Sequence, residues 1–268
     1  MDFRYINLPY STVAFEIKTN STEIFDELSL LYGRFISPTR PTNKEKTFTI
    51  EIFREATAYR ISAGNQDLVT DNPLQVAKDI LYENTKYSQL VMALHGAAVE
   101  YKGNAYLFLA STNSGKTTLT SYLTQMGMGY ITDDCILVDR NSLSILPQCT
   151  PIHLREGGLQ VLRNLHIGLP KLSHLKNKTI DRYVYIPKNC AEAPLPIARI
   201  YFILRNEKEN SVKQITGIHA VVKLMKSMML PYRLTDNDMK IFQQLDKTGC
   251  EEILYKDLDY VYSLICED

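Results

Sequence analysis

The order of apolar and polar residues gives the chain two stretches of different texture. Residues 1–18 alternate as a strand region does. Ser21 or Thr22 then opens a helix that sets Ile24, Phe25, Leu28, Leu31 and Tyr32 on one face, and Gly33 ends it. Residues 37–43, with prolines among small polar residues, break both periodicities and form a loop. Strands follow at residues 47–53 and 58–62, the first alternating Phe48, Ile50 and Ile52 with Thr and Glu. Asn72 and Pro73 supply an N-cap and an N1 proline for a helix reaching about residue 82, carried by Leu74, Ala77, Ile80 and Leu81. Residues 1–88 therefore read as a small α+β N-terminal part.

From Leu90 the chain turns strand-rich. Residues 90–101, a turn at Lys102, Gly103 and Asn104, and residues 105–110 make an antiparallel hairpin. Leu119, Tyr122, Leu123 and Met126 then recur at helical spacing, Gly127 fits a helix stop, and residues 129–134 form a strand that residues 135–139 continue. Residues 152–169 read as loop and helix, and residues 198–204 as a strand, behind Pro194 and Pro196, that pairs with 212–216. Ile218, Val221, Val222, Met225, Met228 and Met229 form a helical stripe whose methionines suit a core. Thr235 caps a last clear helix, with Asp236 and Asp238 in its first turn, Met239, Phe242 and Leu245 inward and Gly249 near its end. The fold class is α/β (α+β), with a mixed sheet in residues 89–268.

At 268 residues, 45% hydrophobic and 22% charged, the composition is that of a globular protein and excludes long disorder and coiled coil. Lys+Arg 30 balances Asp+Glu 30, so no global field favours nucleic acid or an anionic membrane, and any basic site is local. Cys135, Cys149, Cys190, Cys250 and Cys266 are scattered and odd in number, without CxxC pairs; MDFRYINLPY lacks the pattern of a secretory signal. No apolar run approaches the roughly 20 residues that span a bilayer. A soluble, cytoplasmic protein with reduced thiols is expected.

The chemistry concentrates between Tyr106 and Asp134. The run from Ala110 to Thr117, ASTNSGKT, fits the phosphate loop GxxxxGK[ST] except that Ala110 replaces the first glycine, where a positive φ would strain alanine. In that pattern the backbone N–H groups of Ser111, Thr112, Asn113, Ser114 and Gly115 wrap phosphates, Lys116 reaches the outer ones, Thr117 binds Mg²⁺, and the helix start, with Thr118, faces the same anion. Such a string alone occurs in exposed loops; the apolar strand before it and amphipathic helix after it make it a nucleotide site. Asp133 and Asp134 end the next strand, where a carboxylate holds Mg²⁺ or accepts a proton; as neighbours on a strand they face opposite ways and do different jobs. Residues 171–178 are a basic stretch, read as a solvated face, with a dock for an acidic peptide or a mobile flap as the alternatives. His166 and His174 lack metal-ligand spacing, and Arg199, Arg205 and Arg233 are cations that nothing in one sequence ranks.

Taken together, Leu94-His95-Gly96, the hairpin through Glu100 and Tyr101, Gly115-Lys116-Thr117 and Ile131-Thr132-Asp133-Asp134 resemble the HPr kinase/phosphorylase family over about residues 90–140. That family's catalytic domain is similar to phosphoenolpyruvate carboxykinase. The resemblance implies a P-loop core like the family's C-terminal domain, ATP and Mg²⁺ as cofactors, and transfer of the γ-phosphoryl group to a protein serine. It implies Asp133 as general base with His95 beside it, Lys116 on the β/γ phosphates, and Thr117 and Asp134 at the metal. It also implies a homo-oligomer. Where the family has Glu-Leu/Ile-Arg-Gly-Leu-Gly, this chain has HLREGG from His153, so Arg155 is expected to contact a phosphate or the acceptor in an altered register. The compact N-terminal part and the degenerate P-loop are similar to the branch of kinases that phosphorylate the C-terminal serine of lasso-peptide precursors. A peptide or small-protein substrate with an acceptor serine is thus the expected partner, with no nucleic acid and no membrane. A kinase for free serine or a similar small hydroxyl compound, and a non-catalytic nucleotide-binding regulator, are the alternatives.

Overall fold

The chain is a mixed α/β protein, seen here in a computed structural model that describes residues 2–85, 87, 89–177, 180–229 and 235–268. In chain order the first elements are β1 (Asp2–Ile6), β2 (Val13–Thr19), α1 (Thr22–Tyr32), β3 (Ile36–Ser37), β4 (Lys46–Glu55), β5 (Ala58–Ala63), β6 (Gln66–Thr70) and α2 (Pro73–Asn84). Then come β7 (Val91–Tyr101), β8 (Asn104–Leu109), α3 (Lys116–Gln125), β9 (Gly129–Thr132), β10 (Cys135–Asp139), β11 (Ile145–Leu146), β12 (Ile152–Leu154) and α4 (Glu156–Asn164). The last are β13 (Ser173–Lys176), β14 (Asp181–Tyr185), β15 (Ile197–Arg205), β16 (Ser211–Ile215), α5 (Ile218–Lys226), α6 (Asp236–Lys247), β17 (Cys250–Tyr255) and α7 (Leu258–Glu267). No helix among the described residues is long and apolar enough to cross a membrane.

Residues fall into two units, Met1–Gln89 with Lys171–Ile186, and Leu90–Pro170 with Pro187–Asp268. The first holds a sheet in the order β3-β1-β2-β4-β5-β6, in which only β2 and β4 run parallel. Ile24, Leu28 and Leu31 of α1 and Leu74, Ala77 and Ile80 of α2 are buried against Phe15, Ile17, Ile50 and Ile52, as their spacing requires. Pro73 starts α2 without a side-chain cap from Asn72. Strand β6 left no periodic trace because it is an edge strand with both Leu68 and Val69 exposed. The basic stretch builds β13 of an antiparallel β13–β14 hairpin, where His174 binds Asp181 at 2.7 Å and stacks on Tyr183, while Leu175 and Val184 enter this unit's core.

The second unit is built on a sheet ordered β11-β10-β7-β8-β15-β17-β16, with β9 also on β7. Strands β8, β15 and β17 are parallel, so their C-terminal ends lie at one edge, where ligands of α/β sheets bind. Here β16 pairs with β17, correcting the expectation that residues 212–216 pair with 198–204. The intervening strand arrives later in the chain; its alternation is masked by Glu251 and Glu252, and proximity in sequence favoured a simple hairpin. The helical stripe also ends early: α5 stops at Lys226, Met228 bridges to Leu94, and the Met229 N–H donates to Ala93 O at 2.9 Å. One sheet face buries Met92, Leu94, Leu107 and Ile200 under Val221, Leu224, Phe242 and Leu245 of α5 and α6. On the other, Phe108 and Tyr106 stack on Tyr201, and Tyr122 of α3 hydrogen-bonds Asp259 of α7.

Candidate active site

Strand β8 ends at Leu109 and hands the chain to a loop that α3 closes at Lys116. The loop turns through Asn113 at φ 67° and Gly115 at φ 92°, whereas Ala110 is not among the positive-φ residues. Alanine therefore stands in place of the first glycine without backbone strain. At Gly115 the opposite holds: besides its φ, an added Cβ would lie 2.6 Å from the Tyr255 hydroxyl. That buried hydroxyl donates to Ser114 O at 3.2 Å and so fixes the loop from the end of β17.

Among the described residues, the backbone N–H groups of Ser111, Thr112, Asn113, Ser114 and Gly115 find no protein acceptor, and Ser114 Oγ is buried without a partner. Unpaired donors at a helix start are what a phosphate chain satisfies. The buried Lys116 ammonium bends back to Ala110 O at 2.8 Å and Ser111 O at 3.0 Å, and lies 3.2 Å from His95 Nε2. Burial lowers its pKa, opposed by Asp134 and Asp133. Carbonyls are weak partners for a cation, so a phosphate would take their place.

On its other side β7 pairs with both β9 and β10. Thr132 faces Ala98 and Cys135 faces His95, which sets Asp133 and Asp134 opposite Ala97 and Gly96 at the break between the two short strands. Gly96 N–H donates to Asp134 O at 3.1 Å. Any side chain at Gly96 would meet Leu109, Ile136 and the Phe108 carbonyl within 2.8 Å, so glycine is what lets these strands carry the site so closely.

The two aspartates do part, but not by the strand alternation expected of them: β9 ends at Thr132, and both sit in the bend before β10. Asp133 is buried, with the Thr117 and Tyr130 hydroxyls and the His153 backbone as hydrogen-bond partners; burial, then the charge of Asp134, pushes its pKa up to about 7 despite them. Asp134 is 75% exposed at its side chain, with Oδ1 3.5 Å from His95 Nδ1. Burial first, then Lys116, holds the His95 pKa down against Asp134. A neutral imidazole that accepts from Lys116 at Nε2 carries its proton on Nδ1, towards Asp134.

Lys116, Thr117, His95, Asp133 and Asp134 are thus brought together by three strands and one helix start. Thr118 turns to α4 instead: a Cβ on Gly158 would lie 2.5 Å from Thr118 Oγ1. Arg155, at the N-cap of α4, is exposed and has no ion pair among the described residues. Arg199 is bound to Asp268 at 2.7 Å, and Arg233 lies outside the described residues. Tyr255 and Tyr130 belong to the site but had no local signal; Tyr255 reaches Ser114 across 141 positions of sequence.

No group of three or more His, Cys, Asp and Glu converges on a metal position among the described residues. A Mg²⁺ held beside a phosphate chain needs fewer protein ligands, because phosphate oxygens and water complete its shell. A hydroxyl and a carboxylate in contact, Thr117 and Asp133, fit that requirement.

No protein-family model matches the sequence, and no curated protein matches it. Among solved structures, the Hpr(Ser) kinase/phosphatase from Coxiella burnetii aligns at 10% identity over 66% of this chain and 99% of that one, with a TM-score of 0.32. A likeness at that level carries neither fold nor function to this chain.

Proposed function

We propose that the protein is an ATP- and Mg²⁺-dependent serine kinase acting on a peptide or small protein, with the terminal serine of a lasso-type precursor as the acceptor to try first. The observation that supports it is one constellation: unpaired loop N–H groups and Lys116, with His95 and two carboxylates of unlike surroundings beside them. Phosphoryl transfer asks the protein mainly for positioning and charge neutralisation, and this constellation offers both. When bound, Mg²⁺ supplies charge neutralisation on the phosphates, and in this reading Thr117 and Asp134 would hold it. Lys116 leaves the Ala110 and Ser111 carbonyls for the outer phosphates. His95 holds Asp134 through Nδ1–H and receives no proton in the step. Asp133 takes the proton of the acceptor hydroxyl, a task for which a carboxylate near pKa 7 suits neutral pH.

The Thr117–Asp133 hydrogen bond favours a second reading of the carboxylates, in which Asp133 serves the metal and the exposed Asp134 meets the acceptor. Mg²⁺ titration of Asp133→Asn and Asp134→Asn separates them: the base variant loses turnover at saturating metal, whereas the metal variant recovers as Mg²⁺ rises. The loop's geometry offers no reason to regard Ala110 as a mark of lost catalysis. The test of the proposal is incubation of the protein with ATP, Mg²⁺ and serine-containing peptides, with free serine as a parallel substrate, read by mass. Nucleotide binding without any transfer would favour the regulator instead.

A further inference from the structure

Three parallel strands end at the edge that carries the phosphate loop. Leu109 of β8 pairs with Phe202, so β15 runs three residues further, about 10 Å at strand rise, before it ends at Arg205. Arg205 in turn pairs with Tyr255 of β17. Paired residues of neighbouring strands put their side chains on the same face of a sheet, and Tyr255 uses that face to reach Ser114. The Arg205 charge is felt at the Tyr255 hydroxyl, where it opposes the rise caused by burial.

Arg205 is exposed and has neither a hydrogen bond nor an ion pair from its side chain among the described residues, although Glu207 and Glu209 follow it in sequence. The other arginine of β15, Arg199, sits at the opposite end of the strand and is neutralised by Asp268. Tyr255 thus stands between an unpaired guanidinium and a loop with five unpaired N–H groups and a buried, partnerless serine hydroxyl, all of which lack an anion. The carboxylates lie on the far flank of β8, so the site is acidic on its β7 side and basic on its β15 side.

We infer that Arg205 is a second cation of the nucleotide site, contacting the phosphate chain from the β15 side, opposite Asp133 and Asp134. The assignment rests on the phosphate-loop reading above. It orients the nucleotide: the phosphoryl group to be transferred lies towards the carboxylates and the rest of the phosphate chain towards Arg205.

Equilibrium binding of ATP and of tripolyphosphate to the full chain tests it, with adenosine as the phosphate-free probe. A charge-assisted hydrogen bond of about 1.5–3 kcal/mol predicts that Arg205→Ala weakens ATP and tripolyphosphate about 10- to 150-fold. Arg205→Lys should recover part of that loss, with adenosine binding and the ligand-free unfolding midpoint unchanged. Wild-type affinity for both anions in Arg205→Ala overturns the assignment, and so does an equal loss for adenosine. Lys116→Ala, run alongside, keeps the two ideas apart. If it too binds ATP normally, the phosphate-loop reading fails; if it binds poorly while Arg205→Ala binds normally, only the role of Arg205 fails.

Discussion

On the β7 side of β8 the loop from Ala110 to Gly115 and Lys116 meet His95, Asp133 and Asp134; on the β15 side the loop meets Tyr255, whose strand partner is Arg205. The first flank is built from antiparallel neighbours close in sequence, and it gathers groups that titrate. The second is built from parallel strands that return from far along the chain, and it gathers a hydroxyl and a cation that hold position. The proposed chemistry and its support are therefore separated by one strand, and substitutions on the two flanks should fail in different ways.

The largest effects belong to the loop and the acidic flank. Lys116→Ala should lower turnover by on the order of 10³-fold, the scale of losing one preorganised charge at the reacting group. Asp133→Asn should lower kcat by about 10²–10⁴-fold while ATP affinity stays within a few-fold of wild type, as stopped-time kinetics beside equilibrium binding would show. Loss of both together would erase the distinction between the flanks.

Effects on the support flank should be smaller and appear in binding. Gly115→Ala forces a side chain to φ 92° and into the Tyr255 hydroxyl, so thermal unfolding should show a loss of at least about 1–2 kcal/mol. Part of that loss should vanish in a Tyr255→Phe background, because the clashing atom is gone. Tyr255→Phe alone removes one hydrogen bond, about 1 kcal/mol, and should raise the KM for ATP about five-fold at constant kcat.

A control lies away from both flanks, where Arg140 pairs with Asp238, which is nearly fully buried and also closes the Thr235 capping box. Burial alone would raise the Asp238 pKa, but hydrogen bonds from Thr235 and Arg140 hold it below the usual carboxylate range. A depressed folded pKa gives stability that is present above the unfolded value of about 3.9 and is lost as pH falls through the folded one. Asp238→Asn should therefore reduce stability at neutral pH, flatten the acid limb of a pH-dependent melt, and leave the KM for ATP unchanged.

Much of the acidic flank was legible in the sequence because its signals are local. The run from Ala110 to Thr117 follows a hairpin and precedes an amphipathic helix, and Asp133 and Asp134 come directly after the next strand, which ends at Thr132. What was not legible is long-range pairing. Strand β17 and helix α7 carry Tyr255 and Asp259, and nothing near residue 255 points to Ser114, because parallel register between distant strands leaves no periodicity to read. The contact between Thr117 and Asp133 was hidden for a related reason: both carboxylates lie in a bend between two short strands, where no periodicity says which one turns to the loop.

The most direct test is intact-mass analysis of a serine-terminated peptide incubated with ATP, Mg²⁺ and the purified protein. The constellation predicts one added phosphoryl group per acceptor serine with the wild-type chain and none with Lys116→Ala. ATP bound by the wild-type chain with no phosphorylated peptide or serine, or equal transfer by Lys116→Ala, would contradict it.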